Sequence, residues 1–448
     1  MSLIDEALKH TTDTKACIIA AGAVEGTAKM FRKLFPGSAK ALIVEDPNTK
    51  RVAGDRVERI LETAGIKCEK YVICPDGESF HAVYGKVEEV RGALGASDGI
   101  PVAVGSGTIN DLVKRASEET GKRYMVVGTA ASMDGYTSYG AAITKDGMKQ
   151  TLDCKAPLGC IVDSEVAAAA PAEMTASGYA DLIAKIPAGA DWIIADAIGS
   201  ERIHDEAWRF VQGPLRDALS NPAGAASGNI REIEKLCSGL VMSAFAMQAM
   251  GSSRPASGTE HQISHYWDME DLCFGGAPVS HGFKVGIGTL VSTKTIEFLL
   301  RQDIASIDIG KAVAGWWPDC CSAEADFPQI FANRPAHVKR ASMEFPKKFS
   351  SREKLAGELS AIKENWPELS EKIAKQIMPF EEVRENLKKA GAPYEPEMIG
   401  ISRARLKETF RGVPYMRARY FALDLVDRLG LTDRLHAELF GPGGVWEI

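Results

Sequence analysis

From residue 15 to residue 129 short β-branched runs alternate with amphipathic ones, and few architectures tolerate that order. "KACIIAAG" reads as a strand, "AVEGTAKMFRKLF" as a helix and "KALIVED" as a second strand. "KRVAGDRVERILETAG" has apolar residues at helical spacing and ends in Gly65, so one helix is expected there. "KCEKYVIC", a helix from about Ser79 to Leu94, "GIPVAVG", a helix near Asn110 to Thr120 and "RYMVVGT" continue the series. Repeated strand–helix–strand order predicts a parallel sheet with helices on both faces, and such sheets take ligands at the carboxyl ends of their strands.

Beyond about Val162 the pattern changes to alanine-rich and long amphipathic segments such as "NIREIEKLCSGLVMSAFAMQAMG". The expected organisation is an α/β dinucleotide-binding domain over residues 1–162 and an all-helical domain over residues 163–448. Within the second part, residues 316–351 are rich in proline and aromatics and read as a long ordered loop. "SREKLAGELSAIKENWPELSEKIAKQI" reads as a charged, solvent-facing helical pair. At 448 residues, the chain is long enough for two separate cores.

Composition removes several classes. A net charge of -7 argues against nucleic acid as the main partner, because a phosphate backbone demands a basic face. No apolar run approaches the length of a membrane span. The first residues, "MSLIDEALKH", carry acids early and lack the pattern of a signal peptide. Nine cysteines without regular spacing fit free thiols of a reducing compartment, so a cytoplasmic location is expected.

Two features point to a nucleotide. "PVAVGSGTINDLVKRAS" runs from a strand through Gly105, Ser106 and Gly107 into a helix. Glycines let the backbone approach an anion, and the helix start aims N–H groups at it. Asn110 stands where a third glycine of the common dinucleotide fingerprint would be. "KALIVED" ends in Glu45 and Asp46, acids at a strand tip that suit ribose hydroxyls and repel a 2′-phosphate. That favours NAD over NADP.

The stretch "GTEHQISHYWD" places His261 and His265 one helical turn apart. A zinc protease needs Glu directly after the first histidine, and Gln262 stands there. Glu260 precedes His261 and is expected to face the other side of the helix. Further candidates are His281 in "SHGFKVGIGTL" and Asp181 in "TASGYADLIAKIPAGADW", an acid in a segment expected to be buried. One carboxylate and two imidazoles with a vacant position make a plausible divalent site.

Together "GSGTINDLVKRAS", "GTAASMDGYTSYGAAI", "TASGYADLIAK", "GTEHQISH" and "SHGFKVGIGTL" resemble the glycerol-1-phosphate dehydrogenase family, within the iron-containing alcohol dehydrogenase and dehydroquinate synthase superfamily. The resemblance runs in order from about residue 15 to residue 295. It implies a dehydroquinate synthase-like fold and a metal held by Asp181, His261 and His281, with Zn, Ni and Fe all compatible. It implies that His265 lines the site without bonding the ion and, with Asp134, serves proton transfer and the substrate hydroxyls. On the cofactor side it assigns Asp46, Gly105, Ser106, Gly107, Asn110, Asp111, Thr129, Ser132 and, more distantly, Lys149 to NAD or NADP. The implied reaction is hydride exchange between sn-glycerol 1-phosphate and dihydroxyacetone phosphate, a step of phospholipid metabolism, in a homo-oligomer such as a dimer. A dehydrogenase of unphosphorylated polyols and a dehydroquinate synthase-like cyclase are the enzyme alternatives, and an inert nucleotide-binding protein is a third. Gly128 departs from the proline that the resemblance implies in this turn, and the C-terminal region is longer than in the superfamily's shorter members. For a substrate phosphate, "GVPYMRARYFALDLVDRLG" offers Arg417, Arg419 and Tyr420, and Lys185 and Lys284 lie near the metal motifs in sequence; a surface charge or an ion pair is the alternative for each. On a helix Arg417 and Arg419 would point apart, leaving at most one of them for that role.

Overall fold

The computed structural model describes every residue except Met1, Ser79, Asp146 and Gly147, together with the backbone but not the side chains of Met148 and Lys149. Its centre is a six-stranded sheet in the order β1-β8-β5-β4-β2-β3. The strands are β1 Ala16–Ala20, β2 Lys40–Glu45, β3 Lys67–Val72, β4 Ile100–Gly105, β5 Met125–Gly128 and β8 Gly159–Asp163. All of its pairings are parallel. The central strands are buried residue after residue, as with "MVVG" and "GCIVD", because helices cover both faces and no alternation is left to see. Two further strands, β6 Ala141–Lys145 and β7 Met148–Leu152, form an antiparallel hairpin.

The chain passes from β2 outward to β3 and then returns to the other side of β2 with β4. The reversal leaves the carboxyl ends of β2 and β4 side by side, with Val44 opposite Ala103. Asp46 and the glycine turn therefore emerge at neighbouring strand ends, the position where open parallel sheets bind ligands.

The chain divides into two compact units that interleave along the sequence. One contains Met1–Leu182, Asp205–Pro255 and Lys389–Gly391; the other contains Ile183–His204, Ala256–Lys388 and Ala392–Ile448. The first holds the sheet and also the long Ile230–Met250 helix. The second is helical apart from a short hairpin, Cys273–Phe274 with Ala277–Pro278. Among the described residues no helix is long and apolar enough to cross a membrane.

Three local expectations change. Residues 316–351 are not a loop: they form helices Cys320–Ile330 and Pro335–Glu344 and the short turn Phe345–Lys347. Asp319 caps the first by accepting the Ser322 N–H at 2.8 Å, and Pro335 opens the second, where its missing N–H costs nothing. Phe327 and Phe331, one turn apart, face each other as a helical pair would. Residues 352–376 are one helix, not two, with Pro367 inside. Its inner stripe of Leu355, Leu359, Ile362, Trp366, Leu369 and Ile373 is buried, so this helix is amphipathic and not a solvated pair. Finally, the helix expected from Lys50 breaks into Pro47–Thr49, a wide turn Lys50–Gly54 and Asp55–Thr63. The wide turn brings Gly54 so close to Glu45 that a Cβ there would lie 1.7 Å from its Oε2. The segment does end at Gly65, with φ of 77°.

Candidate metal and cofactor site

β4 ends in Gly105, and the Gly107–Thr120 helix begins directly after Ser106, whose backbone is extended and whose side chain does not cap it. Neither glycine can carry a side chain without movement. A Cβ on Gly105 would meet Ile109 at 2.6 Å, and one on Gly107 would meet Met133 at 3.0 Å. The turn is therefore a bare backbone loop at a helix start, the arrangement that cradles pyrophosphate. At the neighbouring strand end, Asp46 Oδ1 accepts the N–H groups of Asn48 at 2.8 Å and Thr49 at 2.7 Å, so part of this carboxylate caps its own turn.

Asn110 and Asp111 act on the next loop. Asn110 is fully buried; its amide donates to the carbonyls of Gly135 at 3.2 Å and Tyr136 at 3.3 Å, and it accepts the Tyr124 hydroxyl at 3.0 Å. Asp111 accepts the Ala142 N–H at 3.1 Å, and Lys114 joins it to the carbonyls of Gly135 and Gly140 at 2.9 Å each. These side chains hold residues 135–142 in place. Thr129 donates its N–H to the Gly105 carbonyl at 3.2 Å, which fastens the loop to the glycine turn. Ser132 accepts the Ser177 hydroxyl through its carbonyl at 3.2 Å. Gly128 leaves room for the Tyr136 ring, which a Cβ would meet at 3.0 Å. Lys149 stands on β7 opposite Thr144; its side chain lies outside the described residues.

Asp181 lies on the Ala172–Ile183 helix and is fully buried. That helix meets residues 129–134 backbone to backbone: a Cβ on Gly178 would sit 1.9 Å from the Ala131 carbonyl oxygen. The close approach lets the Asp134 N–H donate to Asp181 Oδ2 at 3.0 Å, while the Asp134 carboxylate accepts the Ser243 hydroxyl at 3.0 Å. Asp134 thus orients Asp181 through its backbone, a role sequence reasoning did not assign.

The histidines come from two helices, Thr259–Asp268 and His281–Leu300. Gly288 decides their spacing, since a Cβ there would fall 2.5 Å from the Glu260 carbonyl oxygen. The ring centroids of His261 and His281 are 5.4 Å apart. Glu260 does not turn away as expected. At the helix start its carboxylate folds back, accepting the Gly258 N–H at 2.6 Å and the His261 Nδ1 proton at 2.8 Å. That hydrogen bond fixes the His261 tautomer and leaves Nε2 as the basic nitrogen. His281 opens its helix behind Ser280, which accepts the Phe283 N–H at 3.3 Å, and its Nδ1 meets the Ser264 hydroxyl at 3.5 Å.

His265 is 6.5 Å from His281 between ring centroids, and its Nδ1 lies 3.5 Å from Asp268 Oδ2. Asp268 in turn accepts from Lys284 at 2.5 Å. Enclosure by protein lowers the His265 pKa below the ordinary imidazole value; Asp268 opposes this, and Arg417 and His261 add to it. The His265 side chain is nevertheless 43% exposed.

Asp181, His261 and His281 each offer one ligand atom, and these atoms all lie within 4.8 Å of one another. The donor set fits a divalent cation: a carboxylate and two imidazoles, with His261 Nδ1 engaged by Glu260 and His281 Nδ1 approached by Ser264. Sequence reasoning missed Glu260, Gly178, Gly288 and Ser243. The glycines in "TASGYAD" and "KVGIGTL" were the available signal for close helix contact.

The family model for iron-containing alcohol dehydrogenases matches residues 18–171. Among curated relatives, the glycerol-1-phosphate dehydrogenase [NAD(P)+] of Halalkalibacterium halodurans is 35% identical over 270 residues, 60% of this chain and 67% of that protein. The protein of the same name from Bacillus velezensis is 34% identical over 293 residues, 61% of this chain and 74% of its own length. Among solved structures, a probable glycerol dehydrogenase from Sinorhizobium meliloti superposes with a TM-score of 0.59 at 15% identity, covering 95% of this chain and 97% of that one, which shows the shared fold. On these grounds the chain belongs to the glycerol-1-phosphate dehydrogenase family, NAD(P)-linked enzymes of the iron-containing alcohol dehydrogenase type.

Proposed function

We propose that this protein interconverts sn-glycerol 1-phosphate and dihydroxyacetone phosphate, passing hydride to and from NAD(P), with a divalent metal held by Asp181, His261 and His281. The observation that carries the reading is the convergence of those three ligand atoms within 4.8 Å, in a chain whose relatives bear that activity's name. A bound divalent ion would supply Lewis acidity, lowering the pKa of the secondary alcohol and stabilising negative charge on its oxygen.

The chain's own residues supply orientation and proton handling. Glu260 keeps His261 Nε2 basic, and the Asp134 N–H holds one oxygen of Asp181, so the ligands are set before the substrate arrives. The turn at 105–107 receives the pyrophosphate, and Asp46 the adenosine ribose, where its negative charge selects NAD over NADP. His265, half in solvent and linked to Asp268, is positioned to carry the hydroxyl proton away. Zinc is the first ion to test, with nickel and iron as alternatives.

The test is NAD(P)H formation by protein loaded with Zn, Ni or Fe and offered sn-glycerol 1-phosphate, sn-glycerol 3-phosphate or glycerol. The 1-phosphate should be preferred, and Asp181→Ala should lose both bound metal, by elemental analysis, and turnover. Equal use of glycerol, or a metal content untouched by Asp181→Ala, would overturn the assignment.

A further inference from the structure

Residues 129–140 run without regular secondary structure, yet most of them are buried. Such a segment must find partners for its main-chain polar groups away from water. Side chains of two helices supply them. From the Gly107–Thr120 helix, Lys114 Nζ donates to the carbonyls of Gly135 and Gly140 at 2.9 Å each and lies 3.3 Å from Asp111 Oδ1. Asn110 gives its amide to the Gly135 and Tyr136 carbonyls, and Asp111 accepts the Ala142 N–H. From the Ile230–Met250 helix, Gln248 donates to the Thr137 carbonyl and Ser243 to the Asp134 carboxylate.

Lys114 stands out in this set because its side chain is wholly enclosed. An ammonium has three protons to place, and two carbonyls and one carboxylate take them. Removing a charge from water is costly, and an unbranched apolar side chain such as methionine would fill the same space without that cost. Filling space therefore does not call for a lysine. What an ammonium does, and methionine does not, is draw two separate carbonyls onto one point and close the chain between them.

The first of those carbonyls belongs to Gly135, the residue after Asp134, whose N–H donates to Asp181 at 3.0 Å. A Cβ on Gly135 would lie 2.3 Å from Met133, so the chain folds tightly on both sides of Asp134 and a shift at Gly135 carries through it. All of these residues, from Gly107 to Asp181, belong to one compact unit.

We propose that Lys114 is a positioning residue: by clamping Gly135 and Gly140 it sets the Asp134 N–H against Asp181, and through Asp181 the affinity of the metal site. This rests on the metal reading given under Proposed function. The helix that opens at the coenzyme turn thereby also supports the metal ligand.

The experiment compares wild type, Lys114→Met and the double variant Asp111→Asn/Lys114→Met as full chains. Zinc affinity is measured by chelator competition without coenzyme or substrate, and melting temperature on the same samples free of metal. Lys114→Met should bind zinc roughly 10-fold more weakly, the lower end of what losing a ligand's supporting contacts costs. It should also melt lower, because the Asp111 carboxylate stays buried without the lysine. The double variant removes that charge, so most of the stability should return while zinc binding stays weak. At saturating zinc, Lys114→Met should lose more in kcat for sn-glycerol 1-phosphate than in KM for NAD. Should Lys114→Met fail to fold, the double variant decides alone. Zinc affinity that returns along with stability in the double variant would make Lys114 a structural cation only and overturn the proposal, as would wild-type affinity in Lys114→Met. A wild type that binds no zinc, nickel or iron would remove it together with the metal reading. Weaker zinc binding by the variants of a protein that oxidises none of the substrates would refute the proposed reaction and leave the role of Lys114 standing.

Discussion

Replacing Glu45 by Gln should change how stability depends on pH. Glu45 closes β2, its side chain is fully inaccessible, and neither carboxylate oxygen has a hydrogen-bond partner among the described residues. Burial raises its pKa from 4.5 to about 7; Lys70 opposes this, Asp55 adds to it, Lys50 again opposes and Glu58 adds. The folded state therefore holds the proton more tightly than the unfolded chain. For an acid raised in this way, stability is fully present below pH 4.5, is lost as pH rises through about 7, and is constant above that. Each pH unit is worth about 1.4 kcal/mol, so the loss between those limits is about 3 kcal/mol, an upper estimate for a group this enclosed. Glutamine keeps the shape and cannot titrate. The stability of Glu45→Gln relative to wild type should therefore rise by about 3 kcal/mol between pH 4.5 and pH 8. With an unfolding entropy of about 2.1 cal/mol/K per residue, that is about 3 °C in melting temperature if the whole chain melts together. Scanning calorimetry of both proteins at several pH values reads it directly. Melting curves that stay a constant distance apart across that range would show that Glu45 is hydrated or paired, and the reasoning would fail.

Two further outcomes follow from close contacts. Glu260→Gln should weaken metal binding about 10- to 100-fold, because the His261 tautomer loses its carboxylate partner; titration with a competing chelator measures it, and unchanged affinity would leave Glu260 no such role. Gly178→Ala must push the Ala131 carbonyl from 1.9 Å to ordinary contact, so destabilisation of about 1–3 kcal/mol and less ordered placement of Asp134 against Asp181 are expected, read by thermal unfolding and metal affinity.

Much of the first unit was legible because its signals are local. Unbroken apolar runs such as "PVAVG" specify strands buried on both faces, and the glycines that follow specify a turn no side chain could occupy. The candidate ligands Asp181, His261 and His281 were legible as polar residues among small and apolar neighbours, with the family resemblance giving them their grouping. Other readings failed where a local rule competed with a tertiary one. Prolines in residues 316–351 suggested a loop, yet Pro335 opens a helix, Pro346 lies in the short turn Phe345–Lys347, and Pro328 is carried inside the Cys320–Ile330 helix, in a segment whose aromatics pack together. Glu260 looked misdirected because helical spacing assigns faces only inside a helix, and its side chain at the first turn folds back on its own neighbour.

By itself, then, the sequence determined the order of strands and helices, the bare turn after β4 and the kinds of atom available to hold a cation. Only the tertiary structure decided which amphipathic faces meet: that the Ile230–Met250 helix keeps company with the sheet, that Gly288 admits the Glu260 backbone, and that Arg417 and Arg419 converge on Ser257. The physical reason is that hydrophobic periodicity tells a segment to bury a face without naming its partner, whereas hydrogen bonds and backbone contacts of a few ångströms exist only after distant segments have packed.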